Sequence, residues 1–158
     1  MTTADEWRDL ARRCREAKIL DVEIDAEICI AAQYTGTNEK GIVSNVRLDP
    51  DFSDDDLCFA VDGVDDCCNS VPELTGSIDA IVALIEKTMP GAGIEVNKYW
   101  TAKFDAPVWS ARLWHGGKGQ EFSADDAPSA ALALCAAYCE ARAAVEDAAR
   151  APMNEAGE

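Results

Sequence analysis

The stretch that decides the fold is residues 129–149, SAALALCAAYCEARAAVEDAA. Its first half contains almost only apolar or small side chains, and a helix that is apolar on most sides is usually buried on most sides. We therefore predict a central helix that starts near Ala127, with Pro128 at a tolerated early position. It should pack on a β-sheet and also against a second helix or a second subunit. On this ground we expect a homo-oligomer.

Three segments before this helix predict an antiparallel meander, because aromatic and β-branched residues alternate with short turn signals. The segments are GIEVNKYWTAKF (93–104), PVWSARLWH (107–115) and GQEFSA (119–124). Strand alternation places Trp109 and Leu113 on one face and Arg112 and Trp114 on the other. In the first strand, Val96, Trp100, Ala102 and Phe104 are expected to share a face, opposite the polar face that carries Tyr99, Thr101 and Lys103. Shorter strands are expected at GIVSNVRL (41–48) and LCFAV (57–61).

Two more helices have clear signals. Residues 4–17 carry an apolar stripe of helical period that consists of Trp7, Leu10, Ala11 and Cys14. Residues 77–89, SIDAIVALIEKTM, begin with a capping serine and end before Pro90. The buried stripe of the second helix is expected to contain Ile78, Ile81, Val82, Ile85 and Met89.

Residues 19–33 fit both a strand and a helix. Apolar and acidic residues alternate from Val22 to Ile30, which is a strand pattern, whereas Leu20, Ile24 and Ile28 also form a helical stripe. Propensity does not decide between them, because Ala and Glu disfavour strands while β-branched residues favour them. The residues alone leave both open, and the family resemblance given below favours the helix.

The charge restricts the classes of partner. Thirty acidic against fourteen basic residues give a net charge of −16. This excess disfavours direct binding to nucleic acid, which requires surplus Lys and Arg, and disfavours anionic membranes. No apolar run approaches the ~20 residues of a membrane span, and the N-terminal sequence is polar. We expect a protein of the bacterial cytoplasm that binds neither DNA nor a membrane.

Seven cysteines are numerous for 158 residues. Reduced cysteine is a small apolar residue that often lies in cores, so we predict buried free thiols. The alternative is a zinc site that combines Cys135 and Cys139 with Cys67-Cys68 or His115. Structural zinc sites usually use paired cysteines that leave a loop, and neither pair has that form. We therefore predict no metal site.

The segment from Leu48 to Ile85 contains ten acids and no base. A calcium loop starting at Asp49 would need glycine at its sixth position and glutamate at its twelfth, where Asp54 and Ala60 stand. An acidic solvated loop is the better interpretation. The same stretch is the surface expected to act if the protein imitates a nucleic acid.

Several motifs together resemble a known family. They are Ser77-Ile78-Asp79-Ala80, the tryptophan-containing segments YWTAKF and VWSARLW, the segment FSADDAPSAALALCAAY (122–138) and the segment LDVEIDAEICIAAQY (20–34). Over residues 19–145 the order of these motifs resembles small phage and prophage proteins that carry a phage ABA-sandwich domain. The resemblance implies a helix–sheet–helix architecture and a phage context, without a catalytic set of residues.

The predicted fold class is α+β. We expect one domain over residues 1–151, with an antiparallel sheet of three to five strands sandwiched between helices. Residues 152–158 should form a frayed tail.

The sequence favours binding over catalysis. The motifs of common hydrolases, nucleotide-binding loops and zinc proteases are absent, and His115 is the single histidine. Segment 94–119 is net positive and aromatic, and aromatic rings stack on bases while cations hold phosphates. The predicted ligand site consists of Tyr99, Lys103, Arg112 and Trp114, with Lys98 and Lys118 nearby. The simpler interpretation is that the tryptophans fill the core.

Two binding functions follow. The first is a non-catalytic phage accessory protein, without cofactor, that sequesters a phosphorylated host signal of the nucleotide type and so opposes host defence. The alternative is an acidic DNA mimic or a protein inhibitor of a host DNA-binding or defence protein. The bases that follow Trp7, five of them from Arg8 to Lys18, form either a solvated helix face or a docking surface for something acidic, such as another copy.

Overall fold

The computed structural model describes residues 2–38, 41–48, 59–62, 72–115 and 120–151. These residues form four helices and six strands. The helices are α1 (Ala4–Glu16), α2 (Val22–Ala31), α3 (Ile78–Thr88) and α4 (Ala130–Arg150). The strands are β1 (Gly36–Asn38), β2 (Gly41–Leu48), β3 (Phe59–Asp62), β4 (Gly93–Tyr99), β5 (Val108–His115) and β6 (Gln120–Ala127).

Both sheets are antiparallel, which confirms the α+β class and the predicted meander. The six strands do not join into the single sheet we expected. They form two three-stranded sheets, ordered β1-β2-β3 and β4-β5-β6. Strands that follow each other closely pair locally, and α3 separates the two groups along the chain.

Side-chain caps define where the helices start. Thr3 accepts a hydrogen bond from the Glu6 backbone N–H, and Glu6 accepts one in return from the Thr3 N–H at 2.5 Å, which makes a capping box. Ser77 and Ser129 each accept a bond from the third helical residue. Asp21 caps α2, so the helical interpretation of residues 19–33 is confirmed.

Helix α4 lies at the centre of the core. Every residue from Ala130 to Cys139 is buried, because α1 and α3 pack on this helix and the β4–β6 sheet covers it from another side. The apolar surface of α4 that predicted a subunit interface is therefore buried by other elements of the same chain. The ground on which we expected a homo-oligomer no longer applies, although no observation tests the oligomer itself.

Helices α1 and α4 cover one face of the β4–β6 sheet. The other face carries exposed side chains at alternate positions of its strands, as expected where water covers one side of an antiparallel sheet. The described helices that contact this sheet are α1 and α4, and the sandwich expected from the resemblance is not seen in this part of the chain.

Two predicted faces need correction. Trp100 is 70% exposed rather than buried, because β4 ends at Tyr99 and residues 100–107 form the connection to β5. In α3, Ile78 is 42% exposed at the first turn, whereas Leu84 is buried beside Ile85. The buried face of α3 is thus rotated towards Leu84.

Candidate functional site

Arg112 and Trp114 lie on the outer face of the β4–β6 sheet, which is the face turned away from α4. Arg112 pairs across the ladder with Glu95 on β4, and its Nε lies 3.5 Å from Oε1 of Glu121 on β6. Directly paired side chains on one face of a sheet lie within contact range. Two carboxylates therefore flank the guanidinium, and a phosphate would have to compete with both.

The indole of Trp114 lies over Gly93. A Cβ on Gly93 would come within 2.1 Å of Trp114 Cε2, so only a glycine leaves room for this ring. The indole remains 40% exposed, and its free face is available for stacking.

Tyr99 is far from this pair. It lies opposite Val108, four residues from Arg112 and six from Trp114 along β5. At 3.4 Å per residue these separations are roughly 14 and 20 Å. The Tyr99 hydroxyl donates to Asp126 Oδ1 at 2.6 Å and accepts from the Asp126 N–H at 2.9 Å. The bond to the carboxylate is the main reason that the pKa of Tyr99 is raised.

The predicted cations are also dispersed. Lys103 lies in the loop after β4, with its Nζ 5.4 Å from the centre of the Phe104 ring. Lys98 lies 5.6 Å above the Trp109 ring, and Lys118 lies outside the described residues. The structure brings Arg112 and Trp114 together and separates Tyr99 and Lys103 from them.

The basic residues of α1 contact acids of this chain. Arg8 pairs with Asp147 of α4, and Arg15 pairs with Glu140 of α4 at 2.9 Å. On the opposite side of α1, Arg13 pairs with Glu27 of α2. Arg12 forms ion pairs with Asp9 and Glu16 of its own helix. Arg8, Arg13 and Arg15 thus link α1 to its neighbours, and these pairs favour an internal structural role over a docking surface for an acidic partner.

A groove of about 570 Å³ lies between α1 and α2, and sequence reasoning missed it. Its floor is apolar and consists of Leu10, Ile30 and Ala31. Its other described lining residues are the four acids Asp5, Glu6, Asp9 and Glu27, together with Thr2. No Lys, Arg or His is found among the lining residues that the structure describes. The periodicity of α1 alone would have placed Asp5 and Asp9 on one face, but it could not place α2 beside them.

Four thiols lie in the core, as the burial prediction required. Cys14, Cys29, Cys135 and Cys139 are fully buried and free. Burial raises the pKa of the Cys135 and Cys139 thiols well above the ordinary value, so the unreactive protonated form is stabilised. Over the described ranges, no set of three or more Cys, His, Asp or Glu residues is arranged to hold a metal ion. Cys58, Cys67, Cys68 and residues 49–58, which make up most of the calcium-loop candidate, lie outside these ranges.

Asp25 is the one buried carboxyl group in the described part of the core. Its Oδ1 accepts a hydrogen bond of 2.6 Å from the Thr75 backbone N–H. This bond links the turn before α3 to α2. Burial raises the pKa of this carboxyl group to about 6, while the bond from Thr75 acts in the opposite direction.

Comparisons with known proteins place no constraint on these sites, since no family model, curated protein or solved structure matches the chain. Among the described helices, none is both long enough and apolar enough to span a bilayer.

Proposed function

We propose that this chain is a non-catalytic phage or prophage accessory protein that binds a basic surface of a partner protein. The observation that carries the proposal is the acid-lined groove between α1 and α2, in a chain with a net charge of −16. The basic partner would be a host DNA-binding or defence protein whose phosphate-binding surface this chain occupies.

The internal ion pairs support this choice. Five arginines of the described chain form ion pairs with its own acids: Arg8, Arg12, Arg13, Arg15 and Arg112. Each of these cations is already held beside a carboxylate. Among the described residues, most acids are exposed and outnumber the bases, so they attract a cationic partner over a distance set by the ionic strength.

A displacement experiment tests this function. A fluorescent DNA duplex is bound to a bacterial histone-like protein, which is a basic DNA-binding protein, and the full chain is added. We expect the duplex to be released, with an efficiency that falls as salt is raised. Retention of the duplex at a large molar excess of the chain in low salt would refute the acidic-mimic function.

Sequestration of a phosphorylated ligand of the nucleotide type is the second candidate. It is supported by the exposed indole of Trp114 beside Arg112 on one face of the sheet. Replacement of Arg112 by Ala should then lower the affinity for a nucleotide by roughly tenfold or more, because a charge-assisted contact is lost. Lys103→Ala, which removes a cation remote from Arg112, is the control. Equal affinities of wild type and Arg112→Ala would remove this site.

The remaining expectations belong to the same proposal. They are a single domain over residues 1–151, a second helical layer as in an ABA sandwich, a location in the host cytoplasm, a role against host defence and the absence of a cofactor. The resemblance of segments 20–34 and 122–138 to the phage family supports the first four, and the lack of a catalytic motif in the sequence supports the last.

A further inference from the structure

We infer that the groove between α1 and α2 is the docking site, and that its occupant is a basic amphipathic helix of the partner protein. The inference rests on the proposed function and makes it specific. It names the surface of this chain that binds and the kind of segment that is bound.

The floor of the groove requires an apolar side chain from the occupant. Leu10 belongs to the buried core, and Ile30 and Ala31 pack against that core while remaining partly exposed. When an apolar side chain covers such a floor, water is displaced and the free energy of the complex is lowered. A simple hydrated cation or a polyamine does not provide that side chain.

The walls of the groove favour positive charge in the occupant. Asp5 and Asp9 are one helical turn apart on α1, and the Asp5 side chain is almost fully exposed. Three of the wall acids already have an arginine partner: Asp5 pairs with Arg8, Asp9 with Arg12 and Glu27 with Arg13. Each of these arginines is shared with a second acid, so acids still outnumber bases around the groove. A carboxylate has two oxygens and accepts more than one donor, so these groups can bind a further Lys or Arg while they keep their present partners.

The shape of the groove favours a helix as the occupant. Its two walls are helices, so no free strand edge is present in them for an extended peptide to pair with. An amphipathic helix that inserts apolar residues at positions i, i+3, i+4 and i+7 between two helices is a common mode of recognition. Cationic residues on the flanks of that helix would meet the carboxylates on both walls.

Binding can be measured with a defined probe. The probe is a fluorescent peptide of about 18 residues, with leucines at the four apolar positions and Lys or Arg on the flanks. Fluorescence anisotropy with the full chain gives its dissociation constant. A peptide of the same composition in scrambled order retains the charge but loses the apolar stripe, and we expect it to bind about tenfold more weakly.

Matched variants of the chain locate the site. Asp5→Asn with Asp9→Asn removes two charges from the groove, whereas Asp79→Asn with Glu86→Gln removes two exposed charges from α3. Ala31→Leu fills the floor without a change of charge. We expect the Asp5→Asn/Asp9→Asn and Ala31→Leu variants to bind the peptide about five- to tenfold more weakly than wild type. The α3 variant should bind it less than about twofold more weakly.

Thermal unfolding of each variant shows that it is folded, and each outcome has a definite meaning. Equal losses in the groove and α3 variants, or equal binding of the scrambled peptide, would show that charge alone acts and would overturn the docking site. If the groove variants still displace DNA from the histone-like protein as wild type does, the docking site fails and the proposed function stands. If wild type displaces no DNA but the groove variants lose the peptide, the docking site stands without that function.

Discussion

Gly93 illustrates how a single residue fixes local geometry. The Trp114 ring occupies the space in which a Cβ of residue 93 would lie. Gly93→Ala should therefore force the ring off the sheet and reduce the free energy of unfolding by about 1–3 kcal/mol. Urea unfolding measures the loss. In a Trp114→Ala background the same change should cost much less, and an equal cost in both backgrounds would show that the ring is not the cause.

Asp25 links one residue to the pH dependence of the whole fold. Its pKa is about 6 in the folded chain, above the ordinary 3.8, so the folded state binds the proton more tightly than the unfolded state does. On account of this group, stability should rise as the pH falls from about 7 to about 4, by at most about 3 kcal/mol.

Urea unfolding at several pH values tests this expectation with Asp25→Asn, which retains an acceptor for the Thr75 N–H. The variant should lose the rise in stability towards acid, whereas the exposed control Glu86→Gln should retain it. A rise of the same size in Asp25→Asn would show that Asp25 does not titrate as described.

At the scale of elements, the start of α1 depends on the capping box. Thr3→Ala removes the hydroxyl that accepts the Glu6 N–H, and we expect a loss of about 1 kcal/mol in the free energy of unfolding. Thr2→Ala, one residue earlier and outside the capping box, is the matched control for denaturant unfolding. Equal stability of the two variants would mean that the cap does not hold the helix.

An element can be predicted from the sequence when the residues that define it are neighbours in the chain. Ser77, the apolar stripe that follows it and the small residues of 130–139 define α3 and α4 without help from the rest of the chain. The end of β4 is not local, because it depends on the pairing of Tyr99 with Val108. The only turn signal in that connection lies at residues 105–107, so the sequence predicts a strand that continues to Phe104, with Trp100 on the face of Val96.

The candidate site also has a part that neighbouring residues predict and a part that depends on packing. Strand alternation alone placed Arg112 and Trp114 on one face. The separation of Tyr99 from them depends on the register, and the acid-lined groove depends on the packing of α2 beside α1. The periodicity of one element cannot predict the separation or the groove, because each depends on how two elements are positioned in space.

At the scale of the whole molecule, the covered α4 and the net charge of −16 both bear on self-association. Like charges repel, and the helix that was expected to form the interface is buried within one chain. We therefore expect a monomer of 17.0 kDa in sedimentation equilibrium at micromolar concentration. A stable dimer would contradict this. Because Ile19 is the most exposed large apolar side chain described, Ile19→Glu would then show whether the apolar surface around it forms the interface.

The central claim is that the chain binds a basic protein surface through its acids. Calorimetric titration of the full chain with a bacterial histone-like protein and, separately, with cyclic nucleotides tests it most directly, at about 50 and about 300 mM salt. The account predicts heat from the basic protein, an affinity that weakens at the higher salt concentration, and no heat from the nucleotides. Nucleotide binding that persists at high salt, together with no heat from the basic protein, would contradict the account.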